Sequence, residues 1–164
     1  MFSQDLLDGA TDALAEARRL GIRLATAETV TAGLVSACLT SVPGASEIFE
    51  RGFVLYHSKA KATGLGVSES VSAAHGAVSA AVTEELAAGL LRNSTAGAGV
   101  AVTGYAGPGG GNARDPVGTV YVAASRPNRP ILVERHIFTG DRNEVRLQAV
   151  GAALGVLIRQ LRSP

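Results

Sequence analysis

Residues 97–111 read Gly-Ala-Gly-Val-Ala-Val-Thr-Gly-Tyr-Ala-Gly-Pro-Gly-Gly-Gly, and this stretch decides the fold class. Its first part, Gly97 to Val102, contains only small and branched aliphatic residues, which is typical of a strand buried on both faces. Its second part opens a glycine-rich loop that runs from Thr103 to Pro116. Because a strand without a polar face needs helices on both sides of its sheet, we expect an α/β fold.

The segments on either side of this strand alternate between helical and strand patterns. Helices are predicted over residues 3–20, 32–39, 59–65, 68–75, 78–91 and 142–161. Strands are predicted over residues 22–27, 49–57, 97–102, 117–125 and 131–138. The last two strands are joined by a short turn and should pair antiparallel, which makes the sheet mixed. We therefore predict a single domain over residues 1–164, a three-layer α/β/α sandwich around a mixed sheet.

Composition and charge limit the function classes. The chain has 164 residues, 46% of them hydrophobic and 18% charged, which excludes a disordered protein. The net charge of +1 is too small for a nucleic-acid-binding surface, which needs a clustered basic excess. No apolar run approaches the roughly 20 residues that span a bilayer, and the single Cys38 cannot form an internal disulfide. We expect a cytoplasmic protein without direct nucleic-acid or membrane partners.

The strand-turn-helix at residues 25–34 is the first segment that could carry chemistry. It places Thr29 and Thr31 at the tip of a strand and just before a helix. Backbone N–H groups at a helix start can stabilise an oxyanion or a phosphate, and a hydroxyl there can act as a nucleophile if a base is near. The alternative is that both threonines serve only as helix caps.

A second segment places Tyr56 five residues before Lys61. A lysine can serve as a general base when burial lowers its pKa towards neutrality, and a tyrosine can relay the proton. The alternative is a core aromatic followed by two solvated lysines, Lys59 and Lys61.

The glycine-rich loop is the third candidate, since it exposes backbone N–H groups that an anionic or ribosyl ligand can approach. It lacks the Lys-Ser/Thr pair of a P-loop and the following helix of a dinucleotide-binding motif. The alternative is a flexible surface loop. The three histidines are not spaced with Cys38 or with acids as metal ligands are, so we predict no metal site and no cofactor.

Eight short segments, in chain order, match the motifs of one family. They are residues 26–33, 43–46, 49–56 with Lys61, 66–67, 75–79, 103–111, 116–120 and 140–142. Through them the sequence resembles the CinA carboxy-terminal domain family, which includes nicotinamide-nucleotide amidases. Each segment alone is weak evidence, but the ordered set extends over essentially the whole chain.

The resemblance implies hydrolysis of nicotinamide mononucleotide to nicotinic acid mononucleotide and ammonia. It implies that Thr29, Tyr56 and Lys61 are catalytic, with Thr29 at the position of the family's serine nucleophile. The additional methyl group of threonine stiffens χ1 and crowds the path of attack. A non-catalytic, competence-related nucleotide-binding module is therefore the alternative function.

The same reasoning predicts the residues that bind the substrate. They are Glu28, Thr31, Ala32, Gly33, Thr103, Gly104, Ala106, Gly107, Gly109 and Arg142. The N–H groups around Thr29 to Gly33 would hold an oxyanion, the glycine-rich loop would hold the nucleotide, and Arg142 would grip the phosphate. Small, alanine-rich helix surfaces would suit a homo-oligomer.

Overall fold

The computed structural model describes residues 1–164 and contains six α-helices and five strands. The helices are α1 (Gln4–Leu20), α2 (Leu34–Thr40), α3 (Ser58–Leu65), α4 (Glu69–His75), α5 (Ala80–Arg92) and α6 (Arg142–Arg162). The strands are β1 (Leu24–Glu28), β2 (Phe49–Val54), β3 (Ala98–Gly104), β4 (Thr119–Ser125) and β5 (Leu132–Ile137). None of the helices combines the length and the apolarity that crossing a membrane requires.

The five strands form one mixed sheet in the order β2-β1-β3-β4-β5. Strand β1 runs parallel to both β2 and β3, whereas β4 is antiparallel to β3 and to β5. The antiparallel pairing of the last two strands confirms the expectation from their short turn. Strand β5 lies at the edge of the sheet.

Two apolar clusters cover the two faces of the sheet. Helices α1, α2 and α6 pack on one face, where Val100 and Val102 of β3 point. Helices α3 and α5 cover the other face, which receives Ala101 and its neighbours. The alternation along β3 thus places branched side chains against one helical layer and small ones against the other. The predicted three-layer α/β/α sandwich is confirmed.

The carboxyl ends of two predicted strands differ from the structure by two or more residues. Strand β3 continues through Thr103 and Gly104, because β4 supplies antiparallel partners for both residues. The glycine-rich loop therefore begins at Tyr105 rather than at Thr103. Strand β2 stops at Val54, since His57 caps the N-terminus of α3 by accepting a hydrogen bond from the Lys59 N–H at 3.3 Å.

The three mutually parallel strands end at the same side of the sheet. The turn after β1, the segment after β2 and the glycine-rich loop after β3 all leave from that side. The carboxyl ends of parallel strands are where open α/β sheets bind ligands. The topology therefore brings the three candidate segments together.

Close packing between the sheet and α5 requires glycine at position 99. A Cβ added there would lie 2.6 Å from the carbonyl oxygen of Ala25 and would collide with the Leu90 side chain. We expect Gly99→Ala to lower the free energy of unfolding by about 1–3 kcal/mol, measured by urea denaturation. Gly109→Ala is the control, because its added Cβ meets nothing within 4 Å. Equal stability of the two variants would contradict this packing account.

Candidate active site

A cavity of about 320 Å³ lies at the carboxyl side of the parallel strands. Eight predicted site residues line it: Thr29, Tyr56, Lys61, Gly104, Ala106, Gly107, Gly109 and Arg142. Five further residues line it: Val30, Ser58, Ala77, Val78 and Tyr105. Val30 and Tyr105 lie in the turn and the loop that were predicted to bind, whereas the sequence analysis gave Ser58, Ala77 and Val78 no role. A wider depression of about 550 Å³, around Arg23 and Gly97, contains none of the predicted residues. It lies by the amino end of β3, so we place the candidate site in the smaller cavity.

Glu28, predicted to bind substrate, points away from the cavity and is fully buried. Its carboxylate accepts hydrogen bonds from the N–H groups of Gly33, Val35 and Ser36 at 2.9–3.0 Å. It also accepts from the hydroxyls of Thr31 at 2.6 Å and Ser36 at 2.8 Å. Both carboxylate oxygens are thus occupied within the protein. The structure gives Glu28 an anchoring role instead of a direct contact with a ligand.

The same contacts correct the prediction that a threonine caps α2. The N-cap residue is Gly33, which has no side chain to accept a hydrogen bond. The Glu28 carboxylate accepts the helix N–H groups in its place, and the negative charge is favourable at the positive end of the helix dipole. Thr31 is a donor to Glu28 rather than a cap.

The turn between β1 and α2 leaves few N–H groups for a ligand. Ala32 and Gly33 both have left-handed backbone conformations, with φ of +46° and +99°. The Ala32 N–H donates to the Thr29 carbonyl, and the Gly33 N–H donates to Glu28. Neither can therefore hold an oxyanion as the turn stands. Of the two N–H groups without a protein acceptor, on Val30 and Thr31, only the Val30 group belongs to a cavity-lining residue.

Thr29 lies in the cavity wall, with 7% of its surface exposed. Its hydroxyl donates to the carbonyl oxygen of Val102 at 3.1 Å, and its N–H donates to the same oxygen. No hydrogen bond joins the Thr29 hydroxyl to Lys61. Attack on a ligand would require the hydroxyl to turn away from Val102.

Lys61 is buried in the cavity wall without a counter-ion. Only 6% of its surface is exposed, and its ammonium nitrogen has neither a salt bridge nor a hydrogen bond within the protein. Burial disfavours the charged form and lowers the pKa of Lys61 below the usual lysine value. The alternative prediction was that both Lys59 and Lys61 are solvated. Only Lys59 is exposed.

Tyr56 and Arg142 close one side of the cavity. The guanidinium of Arg142 donates to the Tyr56 hydroxyl oxygen and to the Gly107 carbonyl, both at 2.8 Å. Tyr56 is 61% exposed, so it is not a core aromatic. Its hydroxyl forms no hydrogen bond with Thr29 or Lys61. Arg142 has no carboxylate partner, and several of its five N–H donors stay available for an anion.

The glycine-rich loop is anchored at its far end by Asp115, which is fully buried. Its carboxylate accepts hydrogen bonds from the Tyr121 hydroxyl at 2.8 Å and from Arg114 and Arg135 at 3.1 Å. Burial opposes ionisation, but these hydrogen bonds outweigh it and hold the pKa of Asp115 below its usual range. Thr103, predicted to bind substrate, instead shares a buried hydrogen bond with the hydroxyl of Thr83.

The charged groups of the cavity are all cationic. Lys61 and Arg142 line it, and no Asp or Glu does. The N–H groups of Ala106, Gly107 and Gly109 have no protein acceptor and add further positive ends of dipoles. Nowhere do three or more His, Cys, Asp or Glu side chains gather as metal ligands would. Such a cavity suits an anionic ligand with groups that accept hydrogen bonds.

Comparison with known sequences finds relatives over most of the chain. A sequence model described as the CinA C-terminal domain matches residues 8–161. The nicotinamide-nucleotide amidohydrolase PncC of Escherichia coli is 44% identical over 140 residues, 85% of this chain and 85% of that protein. A CinA-like protein of Myxococcus xanthus is 48% identical over 144 residues, which are 88% of this chain but 34% of that protein. This chain thus spans about a third of the length of the Myxococcus relative.

Solved structures share the fold over almost the full chain. The competence/damage inducible protein CihA from Agrobacterium tumefaciens superposes with a TM-score of 0.94 at 38% identity, covering 98% of both chains. A CinA superfamily protein from Klebsiella pneumoniae superposes with a TM-score of 0.91 at 34% identity, covering 96% of this chain and 98% of the other. The three-layer arrangement is therefore common to these relatives.

Replacement of Glu28 by glutamine tests whether this residue anchors the turn or binds a ligand. The amide of glutamine would set an NH₂ group against the N–H groups of α2, so we expect Glu28→Gln to lower the free energy of unfolding by about 3 kcal/mol. Thermal or urea unfolding measures the loss. Glu84→Gln, on the exposed side of α5, is the matched control and should change stability by less than about 0.5 kcal/mol. A Glu28→Gln variant as stable as the control would contradict the anchoring role.

Proposed function

The chain belongs to the CinA C-terminal domain family, and we propose that it hydrolyses the carboxamide of nicotinamide mononucleotide to nicotinic acid mononucleotide and ammonia. One observation carries the proposal: an amine without a counter-ion, that of Lys61, is buried in the same small cavity as the hydroxyl of Thr29. A lysine with a lowered pKa beside a hydroxyl is the pair that acyl transfer needs. The relative named nicotinamide-nucleotide amidohydrolase supports the choice of substrate.

The charge of the cavity also supports a nucleotide ligand. Nicotinamide mononucleotide carries a phosphate, and the cavity offers the guanidinium of Arg142 together with the unpaired N–H groups of the glycine-rich loop. In our proposal Arg142 and the loop bind the phosphate and the ribose. The carboxamide then lies between Thr29 and Lys61, at the deeper end of the cavity.

The proposed reaction has two steps. Neutral Lys61 takes the proton from the Thr29 hydroxyl, the oxygen attacks the amide carbon, and the Val30 N–H stabilises the oxyanion. The proton returns from Lys61 to the nitrogen, through Tyr56 in our proposal, and ammonia leaves an ester on Thr29. Water then attacks the ester carbon and gives one proton to Lys61. As the ester bond breaks, Lys61 returns that proton to the Thr29 oxygen, which restores the hydroxyl and leaves the amine neutral. Side chains and water supply every proton, so we propose no cofactor.

The hydrogen bond of Thr29 favours a second candidate function. Its hydroxyl donates to the Val102 carbonyl and forms no hydrogen bond with Lys61. A chain in which this arrangement persisted with ligand present would bind the nucleotide without turning it over. This candidate is a non-catalytic nucleotide-binding module. A cytoplasmic location and a homo-oligomeric state remain predictions from the sequence.

Release of ammonia from nicotinamide mononucleotide by the purified protein tests the proposal. We expect Lys61→Met to lower the rate at least about 100-fold, because the general base is lost. Lys59→Met removes an exposed lysine next to it in the same helix and should leave the rate within about twofold. Ammonia release from wild type no faster than from Lys61→Met would exclude the amidase.

The Thr29→Ser variant distinguishes the two candidate functions. Serine lacks the methyl group that stiffens χ1, so its hydroxyl turns towards Lys61 more easily. A small change in rate would show that Thr29 already works as the nucleophile. If the wild type is stabilised thermally by the nucleotide without turnover, and Thr29→Ser becomes active, the native chain is the binding module.

The rate should also depend on pH through Lys61. Because the neutral amine is the base, kcat/KM should rise with pH as the ammonium loses its proton. Burial lowers the pKa of Lys61, so the midpoint should lie below the usual lysine value of about 10.4. A rate profile across alkaline pH measures the midpoint, with Lys61→Met as the control for other groups. A profile of the same shape in that variant would contradict the assignment.

A further inference from the structure

Arg146 of α6 reaches across to the turn that carries Thr29. Its Nε donates to the Val30 carbonyl at 3.0 Å, and one terminal nitrogen donates to the Thr31 carbonyl at 3.2 Å. The residues it joins are more than a hundred positions apart in the sequence. No carboxylate pairs with Arg146, whereas Arg159 and Arg162, farther along α6, pair with glutamates. Its half-buried guanidinium is therefore committed to two backbone carbonyls.

These two carbonyls belong to the turn between the end of β1 and the start of α2. The Thr31 carbonyl also accepts the Leu34 N–H at 3.0 Å, and the Thr31 hydroxyl donates to Glu28. The Val30 carbonyl has no other donor, and the Thr31 N–H of the same peptide group has no acceptor. The orientation of the peptide group between Val30 and Thr31 thus depends on the guanidinium of Arg146.

The backbone conformation of the turn indicates what the hydrogen bonds from Arg146 do. Ala32 has a φ of +46°, a region that costs an L-residue with a Cβ about 1–2 kcal/mol. A strained turn relaxes unless its neighbours hold it, and relaxation would move the Val30 N–H that the proposed oxyanion contact uses. The guanidinium on the Thr31 carbonyl also polarises the peptide group that carries the Ala32 N–H, which donates to the Thr29 carbonyl. The Thr29 carbonyl shares its peptide group with the Val30 N–H, so this chain of hydrogen bonds strengthens that N–H as a donor.

We propose that Arg146 is a positioning residue for the reaction, which acts through the backbone of Val30 and Thr31 without touching the substrate. This inference rests on the proposed amidase function. Two arginines of α6 then have different roles: Arg142 faces the cavity, and Arg146 holds the backbone of the turn. Displacement of the turn by a fraction of an ångström should slow the reaction more than it weakens binding.

Kinetics of Arg146→Met test the inference. We expect kcat to fall about 10–100-fold, with KM for nicotinamide mononucleotide within about threefold of wild type. The lysine of Arg146→Lys can bind one carbonyl but not both, so its kcat should lie between those of wild type and Arg146→Met. The control is Arg126→Met, because Arg126 also donates to two backbone carbonyls, those of Leu161 and Ser163 at the far end of α6. A kcat for Arg146→Met no lower than that of Arg126→Met would overturn the inference.

Hydrogen exchange separates this inference from the amidase proposal. In Arg146→Met the N–H groups of Ala32 and Gly33 should exchange about tenfold faster, with little change in β3, if the arginine holds the turn. Unchanged exchange at both positions would overturn the inference whether or not the protein is an amidase. An inactive wild type with the expected exchange would instead refute the amidase while leaving the anchoring of the turn supported.

Discussion

The buried carboxylate of Glu28 determines the shape of the candidate site. It accepts the N–H groups at the start of α2, because Gly33 offers no side chain to do so. This contact fixes α2 directly against the end of β1 and forces the chain between them into a tight, left-handed turn. Thr29 is left at the tip of the strand, and the Val30 N–H is left without an acceptor. The positions of the Thr29 hydroxyl and the Val30 N–H thus follow from the way in which Glu28 caps this helix.

The two charged side chains of the cavity differ in their hydrogen-bond partners. Arg142 donates two hydrogen bonds, to the Tyr56 hydroxyl and the Gly107 carbonyl, whereas Lys61 has no partner within the protein. Burial of an unpaired amine costs folding free energy, and proteins retain such groups mainly at functional sites. Asp115 anchors the far end of the glycine-rich loop, whose first residues line the cavity. The cavity thus combines cationic groups that suit an anionic ligand with one amine that has no partner.

The sequence predicted the fold and the side of the sheet where the site lies, because apolar periodicity and a parallel topology are local and geometric properties. Thr29, Tyr56, Lys61 and Arg142, which the sequence singled out, line one cavity in the structure. It could not predict that Glu28 turns inward, since a glutamate at a strand end can face either a ligand or a helix N-terminus. The pairing of Thr103 with Thr83, and of Arg146 with Val30, joins distant segments whose approach only tertiary packing decides.

The proposed chemistry depends on the Lys61 amine, which burial brings towards its neutral form in the cavity that also contains the Thr29 hydroxyl. An NMR titration of the lysine Nζ and Cε resonances of the free protein tests it directly, with the signal of Lys61 assigned by its absence in Lys61→Met. We predict a pKa for Lys61 below the usual lysine value of about 10.4. A Lys61 amine that titrates at the usual value would exclude it as the proposed general base.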